Sequence, residues 1–172
     1  MKLLIYSAVI FLFSFSLVFA KLEQEEKSFL DKIDASGNIS KERIILKKNE
    51  LEKIQVPMGH KYRKRIFSYW TSDDKTVWIL NSIGKYKPIT AAFVVKDCKI
   101  NSAHVLIYRE QIGYEIKHNA FLTQFSQMKL NNKLRLTRNI DNISGATLSV
   151  NSMDRMARTA LILDNISNDS KC

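Results

Sequence analysis

Apolar residues recur along this chain at two different spacings, and each spacing predicts a different element. Between Lys75 and Glu110 the stretches TVWILNSIG, PITAAFVVKD and INSAHVLIYRE are rich in β-branched and aromatic residues and alternate in part, as half-buried strands do. Gly84-Lys85-Tyr86-Lys87-Pro88 and Asp97-Cys98-Lys99 separate them. Connections this short predict an antiparallel meander of three strands. After Gly145, VNSMDRMARTALILDNI places Val150, Met153, Met156, Ala157, Ala160 and Leu161 or Leu163 on one face at helical spacing. Ser149 or Asn151 is expected to cap this helix, with Asp154 adding a favourable charge to its first turn.

The remaining segments predict cover for the sheet. Residues 21–34 are charged except for Leu22, Phe29, Leu30 and Ile33, a short helix that Ser36-Gly37-Asn38 would end. From Ser40 to Val56, Ile44, Ile45, Leu51 and Ile54 recur at near-helical spacing, and Pro57 and Gly59 close that second helix. HKYRKRIFSYW, from His60 to Trp70, reads as an extended strand with Tyr62, Ile66 or Phe67 inward and cations outward. HNAFLTQFSQM predicts a short helix on Phe121, Leu122, Phe125 and Met128, followed by a short strand at Leu134 to Leu136. No internal repeat or linker interrupts the chain. The expected fold class is α+β, one domain with an antiparallel β-meander flanked by helices. Its expected division is an export segment at 1–20, a helical region at 21–56, the main domain at 57–166 and a polar tail at 167–172.

The first twenty residues add a location. Lys2 precedes the apolar run Leu3 to Phe19, and Val18 and Ala20 put small residues at the minus-three and minus-one positions of a cleavage site. A cleaved export signal is expected, with a retained anchor and membrane association through residues 3–19 as the alternative. The protein is therefore expected in the periplasm or on the outer face of the cytoplasmic membrane. No Cys follows the cleavage site, which excludes a lipoprotein.

Charge narrows the partners without choosing one. The net charge of +10 falls only to +9 when Lys2 leaves with the first twenty residues, so phosphates, anionic membranes and acidic proteins are all favoured. Aromatics interleaved with cations in HKYRKRIFSYW suit single-stranded nucleic acid, but export removes that class. Cys98 and Cys172 make at most one bridge, and because Cys172 ends the chain no structural disulfide is expected. His60, His104 and His118 have no ligand spacing, so no metal site is expected. No nucleophile–His pair and no Gly-x-Gly nucleotide motif is present, which argues against a stand-alone reductase and leaves no catalytic residue to name.

Chemistry concentrates in DNISGATLS, Asp141 to Ser149, on a loop that enters the long helix. A helix N-terminus offers free N–H groups and a positive dipole end to phosphate. Gly145 and Ala146 leave room around the Thr147 hydroxyl, Ser144 and Ser149 add hydroxyls, and the Asp141 carboxylate can orient a donor or hold Mg²⁺. From the residues alone, a simple helix cap and a phosphate site both remain open.

D-x-x-S-G-A-T-x-S resembles the flavinylation motif of the FMN-binding domain family. That family includes the flavin subunits of the sodium-translocating NADH:quinone reductase and of related ion-pumping complexes. GKYKPITAAFVVKDCKINSAHVLIYREQIGYEI is similar to the family's meander and its Glu-x-x-Gly pattern, here Glu110 and Gly113. Gln111 and Ile112 stand where the pump subunits often have Thr and Pro. REQIGYEI followed by FLTQF resembles the small exported FMN-binding proteins, and the likeness spans roughly Leu51 to Leu163. It makes 57–166 an FMN-binding domain.

The resemblance implies that a Mg²⁺-dependent flavin transferase cleaves FAD and joins FMN through its phosphate to Thr147. Asp141, Ser144, Gly145 and Ala146 would be the recognised residues. Arg109, Glu110 and Gly113 would lie near the ring, and cations among Lys85, Lys87, Arg109 and Lys117 would favour the reduced, anionic flavin. The implied function is an electron carrier between a membrane-associated donor and an extracytoplasmic acceptor, served by a flavin transferase and by a membrane redox complex or exported reductase. The alternative is a cofactor-free protein of the same fold that docks an acidic partner or an anionic membrane.

Overall fold

The computed structural model describes residues 22–34 and 37–168. The expected export segment and the end of the polar tail lie outside the described residues. The chain divides into two compact units, one ending at Gly37 and the other beginning at Asn38. In the first, residues 22–33 form a helix, α1, with Phe29 and Leu30 buried. No helix among the described residues is long and apolar enough to cross a membrane.

The second unit is α+β. Its sheet has five strands in sequence order: β1 (Ser40–Ile45), β2 (Ile66–Ser72), β3 (Lys75–Ile83), β4 (Pro88–Lys96) and β5 (Lys99–Ile107). Every neighbouring pair is antiparallel. The three strands expected from alternation are β3 to β5. Asp97 and Cys98 both have positive φ, 50° and 61°, which gives the β4–β5 turn the twist a two-residue hairpin needs.

Ser40–Ile45 is a correction. The segment expected to open a helix is instead edge strand β1, paired to β2 from Ser40↔Thr71 to Ile45↔Ile66. Adjacent β-branched Ile44 and Ile45 favour an extended chain, and Ile44 lies opposite Phe67 in the register. Five of its six residues are exposed, so the strand shows no inside–outside alternation in the sequence. Only the second half of the expected helix forms, as α2 (Lys48–Met58), which ends at Gly59 with φ 71°. Pro57 sits inside its last turn rather than beyond it.

The stretch after β5 is broken into short turns. A 3-10 turn at Tyr114–Lys117, the short helix α3 (Asn119–Leu122) and a 3-10 turn at Thr123–Phe125 replace the single helix expected there. The strand expected at Leu134–Leu136 is reduced to one bridge, Leu130 to Leu136. The long helix α4 (Thr147–Ser167) packs on β3, β4 and α2. Val150, Met153, Met156, Ala157, Ala160, Leu161 and Leu163 are all buried in one core with Trp78, Ile89, Phe93 and Phe125. A core of this kind, at about 25 cal/mol per Å² of apolar surface removed from water, is what fixes α4 across the sheet.

Cys98 is disulfide-bonded, against the expectation of no structural bridge. The chain's other cysteine, Cys172, lies outside the described residues.

Candidate functional site

Three separate segments meet at one end of the sheet. The β3–β4 turn supplies Lys85, Tyr86 and Lys87; the chain leaving β5 supplies Glu110, Gln111 and Ile112; the N-terminus of α4 supplies Gly145 to Ser149. Together they line a cavity of about 470 Å³. Small-molecule sites run from about 300 to 1,000 Å³.

The Glu110 carboxylate ties the first two segments together. Its Oε1 accepts from the backbone N–H of Tyr86 at 2.7 Å and of Lys87 at 2.9 Å. Those N–H groups, that of Lys87 foremost, hold the Glu110 carboxyl below the ordinary glutamate range, with the Lys87 charge adding to the effect. The turn closes on itself through Gly84 N–H to the Lys87 carbonyl, 3.1 Å. A Cβ on Gly84 would stand 2.8 Å from Glu110 Oε1 and 3.3 Å from Ser149 Oγ, so all three segments converge on a position where a side chain would not fit.

Gly113 joins the second segment to the third. It has φ +86°, and a Cβ there would lie 2.6 Å from the Ala146 Cβ. Tyr108 seals the same joint: its hydroxyl donates to the Ile112 carbonyl and lies 3.2 Å from Ser149 Oγ. Burial, with help from Glu110 and Glu115, keeps the Tyr108 phenol above its usual value, so it remains a donor. The Glu-x-x-Gly spacing thus has a physical reason. Glu110 braces one wall of the cavity, and the missing Gly113 side chain admits the other.

The motif loop ends in a sharp entry to α4. Gly145 has φ +78°, and Ala146, buried, takes the cap position with no side-chain cap bond. Ser149 and Asn151 are therefore not the cap. Ser149 instead sits one turn inside, and its Oγ is within reach of Tyr108. Asp154 lies beyond the first turn, which holds no acidic residue. It bonds Arg158 one turn later at 3.0 Å. With Ala146 as cap, Thr147 is the first helical residue. The N–H groups of Thr147 and Leu148 lie at the open end of the helix, where anions are favoured. The exposed Thr147 hydroxyl accepts from Asn142 Nδ2 at 2.9 Å.

Of the residues expected at the site, Thr147, Gly145, Ala146, Ser149 and Glu110 line the cavity, and Gly113 packs directly behind it. Ser144 is exposed on the same loop without lining it. Asp141 is exposed, and its backbone N–H donates to Gln124 Oε1 at 2.8 Å. Arg109 points elsewhere, to the Pro88 carbonyl at 3.0 Å and Thr90 Oγ1 at 3.2 Å, and is not a cavity residue. Sequence reasoning missed Tyr86, Leu148, Asn142 and Tyr108. Tyr86 sits in a stretch read only as a turn, and no local pattern marks the other three. Among the described residues no group of His, Cys, Asp and Glu is placed to hold a metal.

Residues 84–162 match the family model of the FMN-binding domain. The matched span opens on the glycine of the β3–β4 turn and ends within α4, so it contains every cavity segment described above. Over this span the chain is similar to the FMN-binding domain family, which supports a flavin-binding protein. No curated protein matches the chain.

The residues present fit such a group. An open helix N-terminus faces a cavity of suitable volume, Lys85 and Lys87 offer positive charge, and Tyr86, Ile112 and Leu148 offer apolar surface to a planar ring. Gly84 and Gly113 keep the walls close where a Cβ would not fit, and Gly145, with φ +78°, turns the chain into α4.

Proposed function

We propose that this protein is an exported electron carrier with FMN joined through its phosphate to Thr147. One observation carries the reading: Thr147 is the first residue of α4, its hydroxyl is exposed, and it borders the cavity of the FMN-binding domain. In the attachment step the Thr147 oxygen forms the new bond to the FMN phosphorus. The pyrophosphate bond of FAD breaks, AMP leaves and the hydroxyl proton is lost to solvent or to a base of the Mg²⁺-dependent flavin transferase. Asn142 Nδ2, bonded to Thr147 Oγ1, holds the hydroxyl oxygen in one orientation.

Each wall of the cavity then has a task. The α4 N-terminus stabilises the remaining phosphate charge. The cavity-lining surfaces of Tyr86, Ile112 and Leu148 would contact the ring, and Lys85 and Lys87 would favour its negatively charged, reduced form. Bound FMN supplies the one- and two-electron chemistry, and the protein supplies tether, orientation and field. Export is supported by the sequence of residues 1–20 and by the disulfide at Cys98, since such bonds persist in oxidising compartments. A covalent tether keeps the cofactor from being lost outside the cytoplasm. The carrier would then relay electrons between a membrane-associated donor and an extracytoplasmic acceptor.

The test is the intact mass of protein co-expressed with a flavin transferase. The expected result is an adduct of FMN mass on the wild type that is absent in Thr147→Ala. A wild type that stays unmodified under those conditions defeats the reading.

A further inference from the structure

Five of the eight most exposed large apolar side chains among the described residues surround the cavity, so the exposure is not scattered. Tyr86 (75 % exposed), Ile112 (65 %) and Leu148 (47 %) line it, Ile83 (62 %) adjoins its Gly84, and Tyr114 (56 %) follows Gly113. Scattered single apolar residues need no explanation, and the ring itself would cover part of the first three. Ile83 and Tyr114, however, stand outside the cavity lining and extend the group to a rim, which marks an interaction site. Two tyrosines of the group carry cations. Lys85 Nζ lies 5.0 Å from the Tyr86 ring centre, and Lys117 Nζ lies 4.7 Å from that of Tyr114. Lys87 stands on the same turn as Lys85. The neighbouring carboxylates are fewer. Glu110 is occupied by the turn's N–H groups, which leaves Glu115 against three lysines.

The geometry points to a docking surface around the cavity mouth for a redox protein whose contact face is an apolar centre ringed by carboxylates. That this partner is a redox protein rests on the electron-carrier reading; the recognition chemistry rests on the rim itself. Complementary charge of this kind steers encounter and fixes orientation, while the apolar centre excludes water from the contact. A flat anionic bilayer fits less well, because the apolar groups circle a hollow instead of crowning a ridge, and the hollow would stay uncovered beneath it. Tyr86 is held out by a turn that Glu110 braces at two N–H groups, so the surface is formed before any partner arrives.

The experiment uses flavin-free protein, isotope-labelled for amide NMR, titrated at low salt with three probes. These are cytochrome b5, whose haem edge is ringed by carboxylates, cytochrome c, whose haem edge is ringed by lysines, and phosphatidylglycerol vesicles. The expected result is that cytochrome b5 shifts the amides of Lys85 to Lys87, Ile112, Tyr114 and Leu148, and that cytochrome c shifts none of them. The triple variant Lys85→Glu, Lys87→Glu, Lys117→Glu weakens this binding about tenfold or more, whereas Lys48→Glu with Lys53→Glu, on α2, leaves it within about twofold. Three results would overturn the proposal: shifts that map away from the cavity mouth, equal weakening by the α2 variant, or vesicle binding through these residues without cytochrome b5 binding. Flavin-loaded, reduced protein is then mixed with ferric cytochrome b5, two haems being reduced to ferrous for each reduced flavin reoxidised. Docking without flavin attachment would defeat the carrier reading and leave the surface standing. Flavin attachment without docking would do the reverse.

Discussion

Gly113 and the Ala146 methyl are in contact across two segments that lie thirty-three residues apart: a Cβ on Gly113 would sit 2.6 Å from the Ala146 Cβ. This joint sets how closely the chain leaving β5 approaches the start of α4, and so sets the width of the cavity. Ala146 is backbone-rigid here, since its N–H donates to the Ile143 carbonyl and its own carbonyl accepts from Ser149 and Val150.

Gly113→Ala is therefore expected to cost about 2–4 kcal/mol, from overpacking against Ala146 and from the +86° φ that a Cβ disfavours. Urea unfolding of the variant beside wild type measures it. Because the strain falls on the cavity wall, the flavin attachment proposed at Thr147 should also drop, and more than in a surface variant of equal stability.

Glu110→Gln tests the brace on the opposite wall. Removing the charge weakens two bonds to the Tyr86 and Lys87 N–H groups, and their hydrogen exchange should quicken about tenfold while the β4 amides stay protected. The pH dependence has a defined sign. The folded-state pKa is lowered, so the brace is at full strength above the ordinary glutamate pKa and is lost as pH falls through the lowered value. In wild type the same two amides should loosen first on acidification, and in Glu110→Gln that change should be absent.

What could be read from the chain, and what could not, divides along a physical line. Strands β3 to β5 were legible because runs rich in β-branched and aromatic residues, alternating with polar ones only in part, lie between short turns. The α4 core stripe was legible because Val150, Met153, Ala157, Ala160 and Leu161 all face one way. Strand β1 was not, because an edge strand exposed on five of six residues has no alternation, and the spacing of Ile44 and Ile45 to Leu51 and Ile54 also suits a helix. The motif loop could be placed at a helix N-terminus, but its cap could not. Serine is the better capping residue by propensity, yet Gly145 turns the chain one step earlier and Tyr108 stands within reach of the Ser149 hydroxyl. Arg109 was expected near the ring by its position next to Glu110. Its backbone neighbour faces the cavity, and its own guanidinium turns to Pro88 and Thr90 instead. Contacts such as Glu110 to Tyr86 join residues twenty-four apart, and no local pattern announces them.

The disulfide at Cys98 predicts redox-dependent stability. Cys98 occupies a tight turn with positive φ, so its bridge adds a restraint where the backbone is already committed. Cys98→Ser, or reduction of the wild type, should lower stability by about 2–4 kcal/mol. Thermal unfolding with and without reductant checks this. Reductant should shift wild type and leave Cys98→Ser unchanged.

Asp164 gives the sharpest pH prediction in the core. It lies in the last turn of α4, 3 % exposed, where a negative charge meets the unfavourable end of the helix dipole. Its Oδ1 accepts from Thr76 Oγ1 at 2.5 Å and from Asn168 Nδ2 at 3.2 Å, and Thr76 Oγ1 in turn accepts from Trp78 Nε1 at 3.0 Å. Burial outweighs these bonds and raises the carboxyl pKa. The folded protein therefore holds the proton more tightly than the unfolded chain. Stability should rise as pH falls from above the raised value toward the ordinary aspartate pKa of about 4, a slope opposite to that of Glu110. Asp164→Asn keeps an acceptor for Thr76 and removes the charge, so it should flatten that slope with little loss of stability. Asp164→Ala leaves the Thr76 hydroxyl and the Asn168 amide without their partner and should cost about 1–3 kcal/mol at every pH. Urea unfolding of the three proteins from about pH 4 to 7 decides it. A slope that survives in Asp164→Asn would assign the titration to another group.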